Sequence, residues 1–158
     1  MATFEREVRV RAPLADVWAF HSTIDGLRSL TPDWLHLRVE EIERPAAEPE
    51  THVLTAGTRI RASVQPFGVG PRQRWVSRIT AREEGEATAY FVDVMEDGPF
   101  PHWEHTHLFY GDGDGTLVRD RVEYRAPAGG VLDGVAGAFL EPGFRYRHRR
   151  TREILEDA

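Results

Sequence analysis

The sequence predicts an α+β chain in which seven antiparallel strands curve around one long C-terminal helix. Three observations carry that reading. Between residues 4 and 124, seven segments alternate apolar and polar residues, the pattern of half-buried strands. Glycine or proline separates the later ones so closely that only antiparallel connections fit. After Ala126-Pro127 the apolar spacing changes to steps of three and four, which is helical. A chain of 158 residues suits a single domain spanning 1–158, long enough to bury a core without staples.

The elements follow in order. Phe4, Val8 and Val10 share one face of the first strand and Glu5, Glu7 and Arg9 the other, with Arg6 misplaced on the apolar face. Pro13 suits the first turn of a helix, which carries Leu14, Val17, Trp18 and His21 at helical spacing. A second short helix carries Ile24, Leu27 and Leu30 and ends at Thr31-Pro32. Leu35, Leu37 and Val39 form the next strand, which gives way to an acidic, proline-containing surface loop from Glu43 to Glu50. Thr58, Ile60, Ala62 and Val64 alternate with Arg59, Arg61 and Ser63, and Gln73, Trp75, Ser77 and Ile79 oppose Arg72, Arg74 and Arg78. Three more strands run over Ala87 to Met95, His102 to Tyr110 and Thr116 to Tyr124. The Gly111-to-Gly115 run between the last two lacks the spaced acidic ligands and terminal glutamate of a calcium loop, so it reads as a turn. On the final helix Leu132, Val135, Ala136, Phe139, Leu140, Gly143, Phe144, Arg147, His148, Thr151 and Leu155 form a stripe, and Pro142-Gly143 predicts a break or sharp kink in it.

Composition excludes several functions. Twenty basic against 26 acidic residues leave a net charge of −6, the wrong sign for a nucleic-acid binder. The one basic cluster, Arg145, Arg147, Arg149, Arg150 and Arg152, is diluted by Glu153, Glu156 and Asp157 and reads as a solvated helix face. Every basic residue is arginine, so no lysine can form a Schiff base or serve a phosphate loop. The absence of cysteine removes disulfides and thiolate metal sites and fits a reducing cytoplasm. No apolar run reaches the ~18 residues of a membrane helix, and the charged N-terminus does not read as a secretory signal. No motif calls for a cofactor.

A sheet wrapped around an amphipathic helix leaves a hollow between them, and such hollows take small ligands. Four strings carry a family resemblance beside the order of elements: Gly98-Pro99-Phe100, Trp103-Glu104-His105-Thr106-His107-Leu108-Phe109, Asp120-Arg121-Val122-Glu123-Tyr124 and Phe144-Arg145-Tyr146-Arg147-His148. With Val10-Arg11-Ala12-Pro13-Leu14-Ala15-Asp16-Val17-Trp18 at the start, the chain resembles the START-like, helix-grip superfamily. That superfamily includes the birch-pollen allergen, polyketide cyclases/dehydrases and coenzyme-Q-binding proteins, and the chain is most similar to an uncharacterised prokaryotic cyclase/dehydrase-like branch. The resemblance implies binding or carriage of a small, mostly apolar ligand such as a lipid, quinone or polyketide-like molecule. For a minority of members it implies a cyclase, dehydratase or isomerase activity, and a protein-interaction module on the same fold is a third possibility.

The candidate chemistry lies on one hairpin. If it turns around Pro99, opposite residues sum to 198, which sets Asp93 against His105, Met95 against Trp103 and Phe91 against His107. Phe91, Met95 and Phe109 mark that face as the inner one. Four readings of Asp93, His105 and His107 stay open: a self-satisfied buried pair, a polar point orienting a ligand, a general base whose tautomer the carboxylate fixes, and two metal-ligand imidazoles. No further motif supports a metal. His148 reads as a core-edge residue capping His105 or Asp120, or alternatively as a ligand or base. Asp120 and Tyr124 share a face of the last strand, either at the cavity rim or pointing outward. Trp18, Trp75 and Trp103 read as core or cavity wall. The predicted ligand-binding set is therefore Trp75, Phe91, Asp93, Met95, Trp103, His105, His107, Asp120, Tyr124 and His148, with His105 and Asp93 as the catalytic candidates.

Overall fold

The structure is a computed structural model and describes residues 1–45, 52–127 and 131–156. Strand β1 (Ala2–Val10) leads into helices α1 (Leu14–His21) and α2 (Ile24–Ser29), then β2 (Arg38–Glu43), β3 (Arg59–Val64), β4 (Gln73–Glu84), β5 (Thr88–Glu96), β6 (His102–Asp112), β7 (Gly115–Arg125) and the long helix α3 (Val131–Glu156). The strands form one antiparallel sheet in the order β1-β7-β6-β5-β4-β3-β2, so β1 closes against the last strand and the other five follow as a meander. This is the helix-grip arrangement, with α3 packed along β1.

Local chemistry explains the joints. Thr23 caps α2, its hydroxyl accepting the Gly26 N–H at 3.3 Å. The β6–β7 turn tightens to Gly113-Asp114 between the paired Asp112 and Gly115, and Gly113 takes φ 64°, a left-handed conformation that glycine adopts without steric cost. Arg6, out of place on an apolar strand face, bonds His148 on α3 at 2.7 Å and reaches Glu141 at 3.4 Å.

Two expectations need correction. Leu35 and Leu37 do not begin a strand: Asp33–Leu35 is a 3₁₀ turn ending in a left-handed His36, and β2 starts at Arg38 and runs into the acidic stretch as far as Glu43. Helix α3 does not break at Pro142-Gly143. Both residues are exposed, so water can serve the carbonyl that proline's missing N–H leaves unpaired, and the helix runs on. The proposed loop beyond residue 45 and the side chains of Leu132, Val135, Ala136 and Phe139 lie outside the described residues.

The apolar core falls into three clusters. Val10, Val17, Trp18, Phe109 and Val118 join β1, α1, β6 and β7. Ile24, Leu54, Ile60, Ala62 and Ile79 seat α2 on β3 and β4. Val122, Tyr124 and Phe144 seat α3 on β7, with Phe4, Phe100 and Trp103 packed around them. The clusters remain separate because a cavity and a group of buried polar side chains lie between them.

Candidate functional site

A cavity of about 500 Å³ opens between the sheet, α2 and α3. Its wall is mostly apolar, including Leu27 and Leu30 from α2, Ile60 and Trp75 from the sheet, and Leu140 and Phe144 from α3. The titratable groups come from β5 and β6, which bring in Asp93, His105 and His107, and from the helices, which bring in His21 and Arg147; Thr23, Gln73 and Ser77 add uncharged polar groups to the wall. Seven of the ten predicted ligand-binding residues line it: Trp75, Phe91, Asp93, Met95, Trp103, His105 and His107.

Three do not. Asp120 and Tyr124 point inward and are buried, but behind the cavity wall rather than at its rim. His148 is also buried, and it borders a separate groove of about 360 Å³ with Arg6, Val8 and five further α3 residues of mixed charge. The physical reason is depth. His105 stands in front of Asp120 and bonds it, while Tyr124 lies behind Phe100 and Trp103, so these β7 side chains meet wall residues and not the hollow. Trp18 lies in the core beyond the cavity, its indole N–H donating to Glu84 at 2.6 Å.

The hairpin register matches the sum of 198: Asp93 faces His105 and Phe91 faces His107. The hydrogen bonds, however, run diagonally. His107 Nε2 donates to Asp93 Oδ2 at 2.7 Å, and His105 Nε2 donates to Asp120 Oδ1 at 2.7 Å. The expected Asp93–His105 contact is only 3.8 Å, from Nδ1 to Oδ2, and is no hydrogen bond. Diagonal neighbours on adjacent strands lie within reach of long or aromatic side chains, and the imidazoles use that reach in opposite directions. The two rings therefore stack, with centroids 3.6 Å apart, and Phe91 stacks on the far face of His107 at 3.8 Å.

Donor logic fixes the protons. Arg6 has only donors, so His148 Nδ1, 2.7 Å from Arg6 Nη1, is an acceptor. His148 Nε2 then carries hydrogen and donates to Asp120 Oδ2 at 2.5 Å. Asp120 thus holds two imidazole N–H groups, one on each oxygen. Burial alone would raise its carboxyl pKa, but the bonds from His105 and His148 hold it well below the ordinary value. Asp93 behaves likewise: burial raises it, while the His107 bond and the nearby His105, His107 and Arg147 hold it lower. Burial and the adjacent His105 push His107 down to about 4 in spite of Asp93, so the ring is neutral at pH 7. His21 is pushed down to about 3 by burial and donates from Nδ1 to the Val17 carbonyl at 2.8 Å.

Asp93, His105 and His107 each place one donor atom within 4.8 Å of the others. The histidine planes are stacked and inclined by only 27°. Both Nε2 atoms are already directed at carboxylates. As arranged, these residues form a hydrogen-bonded cluster and not a coordination sphere.

Sequence reasoning missed Arg147 and His21. Arg147 was absorbed into the basic cluster, although it stands on the apolar stripe between Phe144 and Thr151. That stripe was the available signal. His21 likewise ends the apolar set of α1.

Comparison with known proteins agrees with this architecture. The family described as polyketide cyclase / dehydrase and lipid transport matches residues 10–146, and the chain belongs to it, within the START-like helix-grip superfamily. A search of curated proteins finds no match. Among solved structures, a protein from Chromobacterium violaceum is 15% identical with a TM-score of 0.71, over 98% of this chain and 96% of that one. Ara h 8.0201 is 17% identical with a TM-score of 0.68, over 99% of both chains. Norcoclaurine synthase from Thalictrum flavum, in complex with dopamine and hydroxybenzaldehyde, is 16% identical with a TM-score of 0.66, over 99% of this chain and 87% of that one. At such identities the likeness is one of fold. None of the described helices is long and apolar enough to cross a membrane.

Proposed function

We propose that the protein binds or carries a small, mostly apolar molecule of the lipid, quinone or polyketide-like class, with its polar end toward Asp93, His105 and His107. The observation that carries this reading is the cavity. Its volume of about 500 Å³ falls within the roughly 300–1,000 Å³ of small-molecule sites, and its mostly apolar wall carries a small number of polar groups, Asp93, His105 and His107 among them. The norcoclaurine synthase structure, which holds two small aromatic molecules on the same fold, supports a ligand of ring size.

Native mass spectrometry of the purified protein and organic extraction should reveal a bound molecule. A thermal-shift panel of lipids, quinones and aromatic ketones provides the second measurement. A ligand at 100 times its Kd adds about 2.7 kcal/mol, which for a chain of this size raises Tm by roughly 2–4 °C per kcal/mol. No co-purifying molecule and no shift across the panel would overturn the proposal.

One observation favours a second reading, proton transfer. With Nε2–H of His107 and of His105 anchored on carboxylates, Nδ1 of each ring is left as the basic atom, the arrangement of a general base. A cyclase, dehydratase or isomerase activity would use it to remove a proton beside a carbonyl.

A further inference from the structure

The five arginines of α3 differ in one respect. Arg145 pairs with Glu141 at 3.1 Å, Arg149 and Arg150 with Glu153 at 3.6 and 2.8 Å, and Arg152 with Glu156 at 3.3 Å. Arg147 makes no ion pair among the described residues. It lines the cavity, where it is the only cation fixed by an arginine and Asp93 the only carboxylate among the described lining residues. Those two are not joined by a hydrogen bond or ion pair among the described residues; Asp93 Oδ2 accepts from His107 instead. The Arg147 Nε atom is buried without any hydrogen-bond partner, and the guanidinium lies over the Phe144 ring, with Cζ 5.9 Å from its centroid. Its charge is felt across the cavity end, helping to lower both Asp93 and His21.

A guanidinium stays charged and has donors only, so whatever completes it must bring an acceptor. An apolar wall supplies none. The planar fork fits a carboxylate through two parallel bonds, and a ligand that fills the cavity would strip water from this half-buried cation, which is costly unless the ligand also pairs it. We propose that Arg147 anchors the carboxylate of an apolar organic acid whose hydrocarbon or aromatic body fills the cavity. The inference rests on the ligand-binding reading above and narrows it to acids.

The test compares acids with their methyl esters, using dodecanoate and 2-naphthoate as probes and titration calorimetry at neutral pH. The wild type should bind each acid roughly tenfold or more tightly than its ester, the discrimination expected of one charge-assisted fork. Arg147→Met, which keeps the stem's apolar packing, should abolish that preference, so that each acid binds no more tightly than its ester. Arg147→Gln, which keeps a polar tip, serves as the second variant and should lose the preference as well. Equal binding of acid and ester by the wild type, or a preference that survives both substitutions, overturns the anchor and leaves the cavity reading standing. If neither acid nor ester binds the wild type, both fall.

Discussion

His107 is the residue whose replacement tells most about the site. It holds Asp93 at 2.7 Å inside a largely apolar wall, so His107→Leu strands a buried carboxylate. Breaking one side of such a pair costs about 3–5 kcal/mol, whereas replacing both partners with apolar residues is often close to neutral. Urea unfolding should therefore show the Asp93→Leu/His107→Leu double variant to be more stable than His107→Leu alone. The reverse order would mean that the pair contributes net stability. The same variants separate carriage from catalysis: if the pair moves a proton, each single change should lower turnover by ~100-fold or more while ligand binding persists. At this scale the sequence was half legible. Period-two alternation and a turn centred on Pro99 are enough to set Asp93 against His105. They cannot say that each imidazole reaches past its opposite residue to a carboxylate two positions along, because that choice depends on a third strand, β7, and on His148 from a helix distant in sequence.

At the scale of elements, short-range patterning was a good guide wherever one face is buried and the other wet. β6 and β7 show this, their buried residues alternating through His105, His107 and Phe109 and through Thr116, Val118, Asp120, Val122 and Tyr124. It failed at β2, where Leu35 and Leu37 kept the period but a left-handed His36 turned the chain, and at Pro142, where exposure lets a helix tolerate what a buried one would not. That tolerance has a cost. Pro142→Ala should restore a hydrogen bond and stabilise the protein by about 1–3 kcal/mol, read from the urea midpoint, since proline is ~3 kcal/mol poorer than alanine inside a helix. A midpoint that stays put or falls would show that α3 requires the proline's geometry. Gly26 predicts the opposite sign for an equally helix-favouring change. A Cβ there would come within 2.0 Å of the Phe20 carbonyl oxygen, so α2 could not stay seated against the end of α1. Gly26→Ala should destabilise by about 1–3 kcal/mol despite a propensity gain near 1 kcal/mol, because overpacking outweighs it. It should also weaken ligand binding, since Gly26, Leu27 and Leu30 all border the cavity.

For the whole molecule, surface charge and buried charge have different consequences. The arginines spread over the sheet pair with acidic residues, as Arg119 does with Glu5 and Arg59 with Glu96, both at 2.7 Å, and such exposed pairs are each worth only about 0–1 kcal/mol. The buried groups set the response to pH. His107 and His21 are lowered from 6.5 to about 4 and about 3. As pH falls below 6.5 the unfolded chain takes up protons on these two rings that the folded chain does not, so unfolding is favoured. Stability should therefore fall from neutral pH down to about pH 4, with each histidine contributing up to ~1.4 kcal/mol per pH unit. Asp93 and Asp120 act with the same sign further down, because a carboxyl held below its ordinary value gives stability that is present above that value and lost as pH falls through the folded one. Urea unfolding at a series of pH values between neutrality and pH 4 measures the slope. His21→Gln should remove one proton's share of it while leaving the fall due to His107 in place. A stability that is flat across this range would mean that the two rings take up protons in the folded protein as readily as in the unfolded chain, and one that rises on acidification would mean that the fold favours their charged forms; either result overturns the view that burial keeps His107 and His21 neutral.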